Sequence, residues 1–299
     1  MAGSTPFGQL LTAMVTPFGA AGELDLAAAA ALATYLVDEM RNDALVINGT
    51  TGESPTTTDA EKSDLLRTVK DAVGDRAQVI AGVGTFSTTH TVHLAEEAAK
   101  AGADGLLVVT PYYSKPPQAG LLAHFRSVAD ATDLPILLYD IPGRTATPIA
   151  TPTMIALAAH PNIVGVKDAK GDLTATSRVL AETDLAYYSG DDALTLPLLA
   201  VGAVGVVGTS THFSGIGTKA MIEAFARGDT AEARRWHQTL LPIFTGVFAT
   251  QGCILVKAGL ALRGLPVGGV RPPLVDATED ETAALAVALK AAGLRTEAA

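Results

Sequence analysis

Eight short apolar runs, bounded by turn residues, recur along the chain: Leu10 to Thr16, Ala44 to Asn48, Gln78 to Gly82, Gly105 to Val109, Pro135 to Tyr139, Ile163 to Lys167, Ala186 to Ser189 and Gly205 to Gly208. Between them lie Ala- and Leu-rich segments of helical length, such as Asp25 to Met40, Asp59 to Val73, Thr88 to Ala101 and Thr174 to Thr183, with Asp or Thr available as N-caps. Continuous apolar strands alternating with helices are the pattern of parallel βαβ units, whose strands are covered on both faces. Eight repeats favour a closed barrel over an open sheet. A doubly wound dinucleotide fold would need a G-x-G-x-x-G turn after its first strand, and Val15-Thr16-Pro17-Phe18-Gly19 has none.

After the eighth run the pattern becomes purely helical. Thr218 to Arg227 completes the barrel, and Thr230 to Ala249, Ile254 to Arg263 and Glu279 to Ala292 follow. The expected fold is therefore α/β, a (β/α)8 TIM barrel over residues 1–228 with an all-helical C-terminal extension over 229–299. A length of 299 residues fits one large domain with an appendage as well as two medium ones, and no Pro-, Gly- or Ser-rich linker separates the parts.

Composition narrows the function classes. With 48% hydrophobic and 17% charged residues the chain can bury a large core and is not disordered. Lys and Arg number 21 against 31 Asp and Glu, a net charge of −10 that argues against nucleic acid and anionic membranes as partners. The single cysteine, Cys253, leaves no disulfide framework or Cys-rich zinc site, and a reducing cytoplasmic setting is expected. Met1 to Pro6 lacks the basic segment of a secretory signal. Two uncharged stretches, Ala193 to Thr218 and Trp236 to Val256, are long enough to span a bilayer, but Pro197, five glycines, Thr209-Ser210-Thr211, Pro242, Gly246 and Gly252 interrupt them. The first reads as helix, loop, strand and loop, and both read as interior segments of a soluble fold.

Active sites of such barrels sit at the C-terminal ends of the strands. There the sequence carries Gly49-Thr50-Thr51-Gly52-Glu53, Pro111-Tyr112-Tyr113, Tyr139 to Thr145, and Lys167. Lys167 ends the apolar run Ile163 to Val166, whereas the other eight lysines fall mostly on helices or loops where solvation is easy. Burial disfavours an ammonium, and a buried lysine amine is suited to attack a carbonyl and form a Schiff base. The plainer alternative is a lysine that snorkels from the barrel mouth or pairs with Asp168 or Glu53. Schiff-base chemistry needs proton relays, for which Tyr139, Thr50 and Tyr113 are placed, although Tyr139 also suits an aromatic lid on the core. Arg144 sits in a loop where its planar fork can clamp a carboxylate, or simply be solvated. His90, His93, His124, His160, His212 and His237 are scattered, without a metal-ligand pattern, and read as helix-surface residues. No G-x-S-x-G elbow is present, and Ser189-Gly190-Asp191-Asp192 reads as a tight turn that can line the pocket by its backbone.

Taken together, Thr12 to Phe18, Gly49 to Glu53, Tyr139 to Thr145 and Gly165-Val166-Lys167-Asp168-Ala169 resemble the dihydrodipicolinate synthase and N-acetylneuraminate lyase family of class I aldolases and lyases, over nearly the whole chain. The resemblance implies that Lys167 forms an imine with pyruvate. It implies a proton relay of Tyr139, Thr50 and Tyr113, the last reaching in from a neighbouring subunit. Thr51 would hold the pyruvate carboxylate, Arg144 the carboxylate of L-aspartate 4-semialdehyde, and Gly190 and Val207 would contribute backbone contacts. The implied reaction condenses the two small molecules to 4-hydroxy-tetrahydrodipicolinate, with no cofactor or metal beyond the covalent imine, in a homotetramer built as a dimer of dimers. Where lysine-inhibited members carry an asparagine and a glutamate after the third strand and histidines in the second helix, the matching positions here are Phe86, His90, Asp59 and Lys62, so weak or absent inhibition by L-lysine is expected. Two rival readings are a sibling pyruvate-dependent aldolase or dehydratase acting on a sugar acid, which Arg144 disfavours, and a non-catalytic small-molecule-binding barrel, which the intact set of hydroxyls and Lys167 disfavours.

Overall fold

The computed structural model describes residues 5–295; Met1 to Ser4, part of the segment read above as lacking a secretory signal, lies outside them. Eight parallel strands close into a barrel in chain order, with β8 pairing back onto β1. They are β1 (Leu10–Ala13), β2 (Ala44–Ile47), β3 (Gln78–Gly82), β4 (Gly105–Val109), β5 (Ile136–Asp140), β6 (Ile163–Asp168), β7 (Ala186–Ser189) and β8 (Gly205–Gly208). The helices are α1 (Leu26–Asp38), α2 (Asp59–Val73), α3 (Thr88–Lys100), α4 (Gln118–Ala129), α5 (Pro142–Thr145), α6 (Thr151–Ala158), α7 (Leu173–Glu182), α8 (Thr195–Ala200) and α9 (Thr211–Ala226), followed by α10 (Thr230–Gly246), α11 (Gly252–Ala261) and α12 (Glu279–Ala291).

Alternation along each strand divides the apolar residues into two layers. One set, including Leu11, Val46, Ile80, Leu107, Leu137 and Val207, fills the barrel interior; the other, including Leu45, Val79, Leu106, Leu138 and Val166, packs beneath the surrounding helices. Phe7 plugs the N-terminal end: its ring lies where a Cβ on Gly105 would stand, 2.4 Å from Phe7 Cζ, and Tyr188 Oη donates to Gly8 O at 3.0 Å above it. The interior is thereby sealed at one end, and open space is left at the other.

Boundaries differ from the expected ones where the backbone turns. The first strand stops at Ala13 rather than Thr16, and Asn48 adopts φ 55°, which ends β2 at Ile47. Thr209 to Thr218, expected as a loop, instead contains the start of α9 at Thr211. Its glycines are packing contacts: a Cβ on Gly215 would stand 2.4 Å from Met40 O, and one on Gly217 about 3.0 Å from Leu240. Close helix approach thus overrides the low helix propensity of glycine. Two histidines also depart from the helix-surface reading. His212 Nε2 accepts from Val15 N at 3.2 Å while Nδ1 faces Thr209 O at 2.8 Å, and buried His124 meets the Thr88 hydroxyl at 2.9 Å. Among the described residues no helix is long and apolar enough to cross a membrane.

Beyond Gly228, α10 packs against α9, and α12 packs against both α10 and α11. The segment between α11 and α12 crosses back over the barrel mouth. Gly268 adopts φ +73°, and a Cβ there would fall 1.8 Å from Phe18 O, so only glycine allows this crossing. Arg271 then donates to Gly22 O, Thr56 O and Glu61, fastening the crossing to the loops after β1 and β2.

Candidate active site

The open end of the barrel is a cavity of about 450 Å3 at the C-terminal ends of the strands. Thr50, Tyr113, Tyr139 and Arg144 all line it, carried by four different segments. Thr51, Gly190, Val207 and Lys167 are not part of its wall; they lie around or beneath it. Thr51 Oγ1 stands 3.4 Å from Thr209 Oγ1, and Val207 points into the barrel interior.

Lys167 is the penultimate residue of β6 and pairs in register with Tyr139 on one side and Tyr188 on the other. It is only 4% exposed, and its Nζ sits 4.3 Å from the centroid of the Tyr139 ring, on the ring face. Neither carboxylate considered as a partner reaches it. Asp168 instead accepts from Lys170 N, Gly171 N and Thr176 Oγ1, and Glu53 lies against Lys257. Among the described residues Lys167 makes no ion pair. Gly190 flanks its stem: a Cβ there would stand 3.1 Å from Lys167 Cγ, so the missing side chain leaves the lysine its channel.

The three hydroxyls reach one cavity but make no hydrogen bond with one another among the described residues. Tyr139 is buried, Thr50 half-buried, and Tyr113 is 94% exposed with φ 72°, an uncommon backbone state for an aromatic residue. Tyr113 therefore stands at the edge of the cavity with its side chain almost wholly exposed.

Arg144 is set by a sharp local turn. Pro142 starts the four-residue helix α5, Thr145 Oγ1 donates to Ile141 O, and Ala146 closes the turn in the left-handed region. The exposed guanidinium donates through Nη2 to Gln251 Oε1 at 2.7 Å. Among the described residues it has no carboxylate partner, so its charge is available to a ligand.

Several residues of the site escape the strand-end logic. Gln251, Pro273 and Leu274 line the cavity from the C-terminal extension, and Asn48 lines it with Oδ1 buried and unpartnered. Glu53, with φ 55°, turns inward after Thr50-Thr51-Gly52; its Oε1 lies 2.7 Å from Lys257 Nζ and its Oε2 accepts from Arg271 N at 2.9 Å. Lys257, read from the sequence as easily solvated, is in fact 4% exposed, between Glu53, Gly269 O and the Phe18 ring. Burial pushes the Lys257 ammonium down and Glu53 opposes the shift. No spacing in the sequence relates position 53 to position 257. Among the described residues no group of three or more His, Cys, Asp or Glu side chains is placed to hold a metal ion.

The model of the dihydrodipicolinate synthetase family matches residues 6–292 of the chain. The 4-hydroxy-tetrahydrodipicolinate synthase of Acidothermus cellulolyticus is 69% identical over 288 residues, 96% of this chain and 93% of that protein. 4-Hydroxy-tetrahydrodipicolinate synthase 2 of Streptomyces coelicolor is 57% identical over 291 residues, 97% of each chain. The crystal structure of the dihydrodipicolinate synthase of Cyanidioschyzon merolae with lysine bound superposes with a TM-score of 0.95 at 46% identity, covering 98% of this chain and 100% of that one.

Proposed function

The chain belongs to the dihydrodipicolinate synthetase family, and from that premise we infer that it is a lyase of lysine and diaminopimelate biosynthesis that condenses pyruvate with L-aspartate 4-semialdehyde to 4-hydroxy-tetrahydrodipicolinate. The observation that carries the mechanism is the Lys167 amine, buried, free of any carboxylate and seated on the Tyr139 ring beneath a cavity rich in hydroxyls.

In this reading the Lys167 nitrogen adds to C2 of pyruvate, and loss of the carbonyl oxygen as water gives an imine. The imine acidifies C3, whose proton passes to the hydroxyl relay of Tyr139, Thr50 and Tyr113 to leave an enamine. Thr51 holds the pyruvate carboxylate, and Gly190 and Val207 offer backbone beside the bound ketoacid. The enamine carbon then attacks the aldehyde of the second substrate, whose carboxylate the Arg144 fork receives, and the new alkoxide takes a proton from the relay. Finally the substrate's amino group attacks the imine carbon, the ring closes, and Lys167 departs as the free amine. The imine is itself the electron sink, so the chemistry calls for no resident cofactor or metal.

The exposure and positive φ of Tyr113 support a role for it at a neighbouring subunit's site, and we assign a homotetramer built as a dimer of dimers. Buried, unpaired Cys253 suits a reducing cytoplasm. The reaction is tested by offering the enzyme pyruvate with L-aspartate 4-semialdehyde and, separately, with a panel of sugar aldehydes. Turnover of the semialdehyde is expected; turnover of a sugar aldehyde alone would transfer the protein to a sibling activity.

A further inference from the structure

Gln251 stands immediately before α11, in the C-terminal extension rather than at any strand end, yet it lines the cavity beside Arg144. Its Oε1 receives two donors, Arg144 Nη2 at 2.7 Å and Gly252 N at 3.0 Å. Two donors on one atom fix the orientation of the amide, since Nε2 in that place would face N–H groups with nothing to accept from it. The side-chain nitrogen is therefore turned away from Arg144, and it makes no hydrogen bond among the described residues. A neutral acceptor also holds the guanidinium without cancelling its charge, as a glutamate would. Fixed charge and free amide donor thus stand side by side at the mouth.

We propose that Gln251 is a specificity-determining residue for the second substrate: its Oε1 aims the Arg144 fork, and its Nε2 donates to the carboxylate that the fork receives. This rests on the reaction inferred above and adds to it a seat that the barrel shares with the C-terminal extension.

The test is the Gln251→Glu variant, which keeps an acceptor for both Arg144 and Gly252 N while replacing the amide donor by a charge. The KM for L-aspartate 4-semialdehyde rises at least about tenfold, while the KM for pyruvate and the yield of borohydride-trapped pyruvate adduct stay within about twofold of wild type. Gln251→Met, which removes both amide atoms at similar length, shifts the semialdehyde KM in the same direction. A merely structural role predicts an unchanged semialdehyde KM for Gln251→Glu, because the stronger Arg144 contact would preserve the site. An unchanged semialdehyde KM in Gln251→Glu, whatever Gln251→Met does, or an equal rise for both substrates, would overturn the proposal. Adduct formation needs only pyruvate and Lys167, so its absence in the wild-type enzyme would overturn the reaction itself, and the two failures are distinguishable.

Discussion

Lys167 and Lys257 are equally buried but differ in their surroundings. Lys257 has a carboxylate, a carbonyl and an aromatic face, and is tied in place; Lys167 has the face of the Tyr139 ring and, among the described residues, no ion pair. The unusual quality of Lys167 was legible in the sequence because it ends an apolar strand. The burial of Lys257 was not, because its counter-ion lies some two hundred residues away. The buried histidines were hidden for a similar reason, since the Val15 N–H that His212 Nε2 accepts and the Thr88 hydroxyl beside His124 Nδ1 lie far away in the chain. Burial lowers the His212 imidazole to about 4, and His124 likewise to about 4, from an ordinary 6.5. Both are thus held neutral in the fold, and the unfolded chain binds more protons between pH 6.5 and 4. Their stabilisation is complete above pH 6.5 and is lost as the pH falls towards 4, on the order of 3 kcal/mol for fully buried His212 alone. Thermal unfolding across that window is expected to show falling stability, with a shallower slope in His212→Asn. Equal slopes in the two proteins would remove His212 from the account.

Among the elements, the β2 loop and the crossing segment before α12 act as one unit. Glu53 carries the turn after Thr50 and Thr51, and Lys257 and Arg271 reach it from the C-terminal extension. Breaking a buried pair strands a charge, so Glu53→Gln is expected to destabilise the protein by about 3 kcal/mol in denaturant titration, and adding Lys257→Met in the same chain to recover much of that loss. If the double variant is no more stable than Glu53→Gln, the stranded ammonium is not the cause. The same loop bears on inhibition by L-lysine. Lys62 Nζ donates to Ser54 O, Thr57 O and Thr57 Oγ1, and His90 is engaged with Asp59 at 2.9 Å, so Lys62 is held by the β2 loop and His90 by Asp59. Inhibition by L-lysine is expected to be weak or absent, and half-maximal inhibition below about millimolar L-lysine in a rate assay would contradict it. The strands were readable from alternation and turn residues, whereas the start of α9 was not, because Gly215 and Gly217 signal a loop until the neighbours they admit are known.

At the scale of the whole molecule, a chain of net charge −10 offers no general attraction to a carboxylate, so under the proposed reaction the pyruvate anion and the carboxylate of the zwitterionic semialdehyde must be recognised by local groups rather than by the overall field. The barrel was predictable because eight repeats leave few closed arrangements; the cavity roof of Gln251, Pro273 and Leu274 was not, since tertiary folding alone brings the tail across the mouth. The assembly is tested by mixing two inactive variants, Lys167→Ala and Tyr113→Phe, under subunit exchange. If Tyr113 serves its neighbour, hybrid pairs contain one site with both groups and activity returns; no recovery on demonstrated exchange would place Tyr113 in its own subunit's site. The proposed chemistry depends on one covalent bond, between Lys167 Nζ and C2 of pyruvate. Incubation with pyruvate, reduction with borohydride and peptide mass mapping should show a single adduct, on the peptide containing Lys167 and absent from Lys167→Ala. Turnover without that adduct, or an adduct on another lysine, would contradict the account.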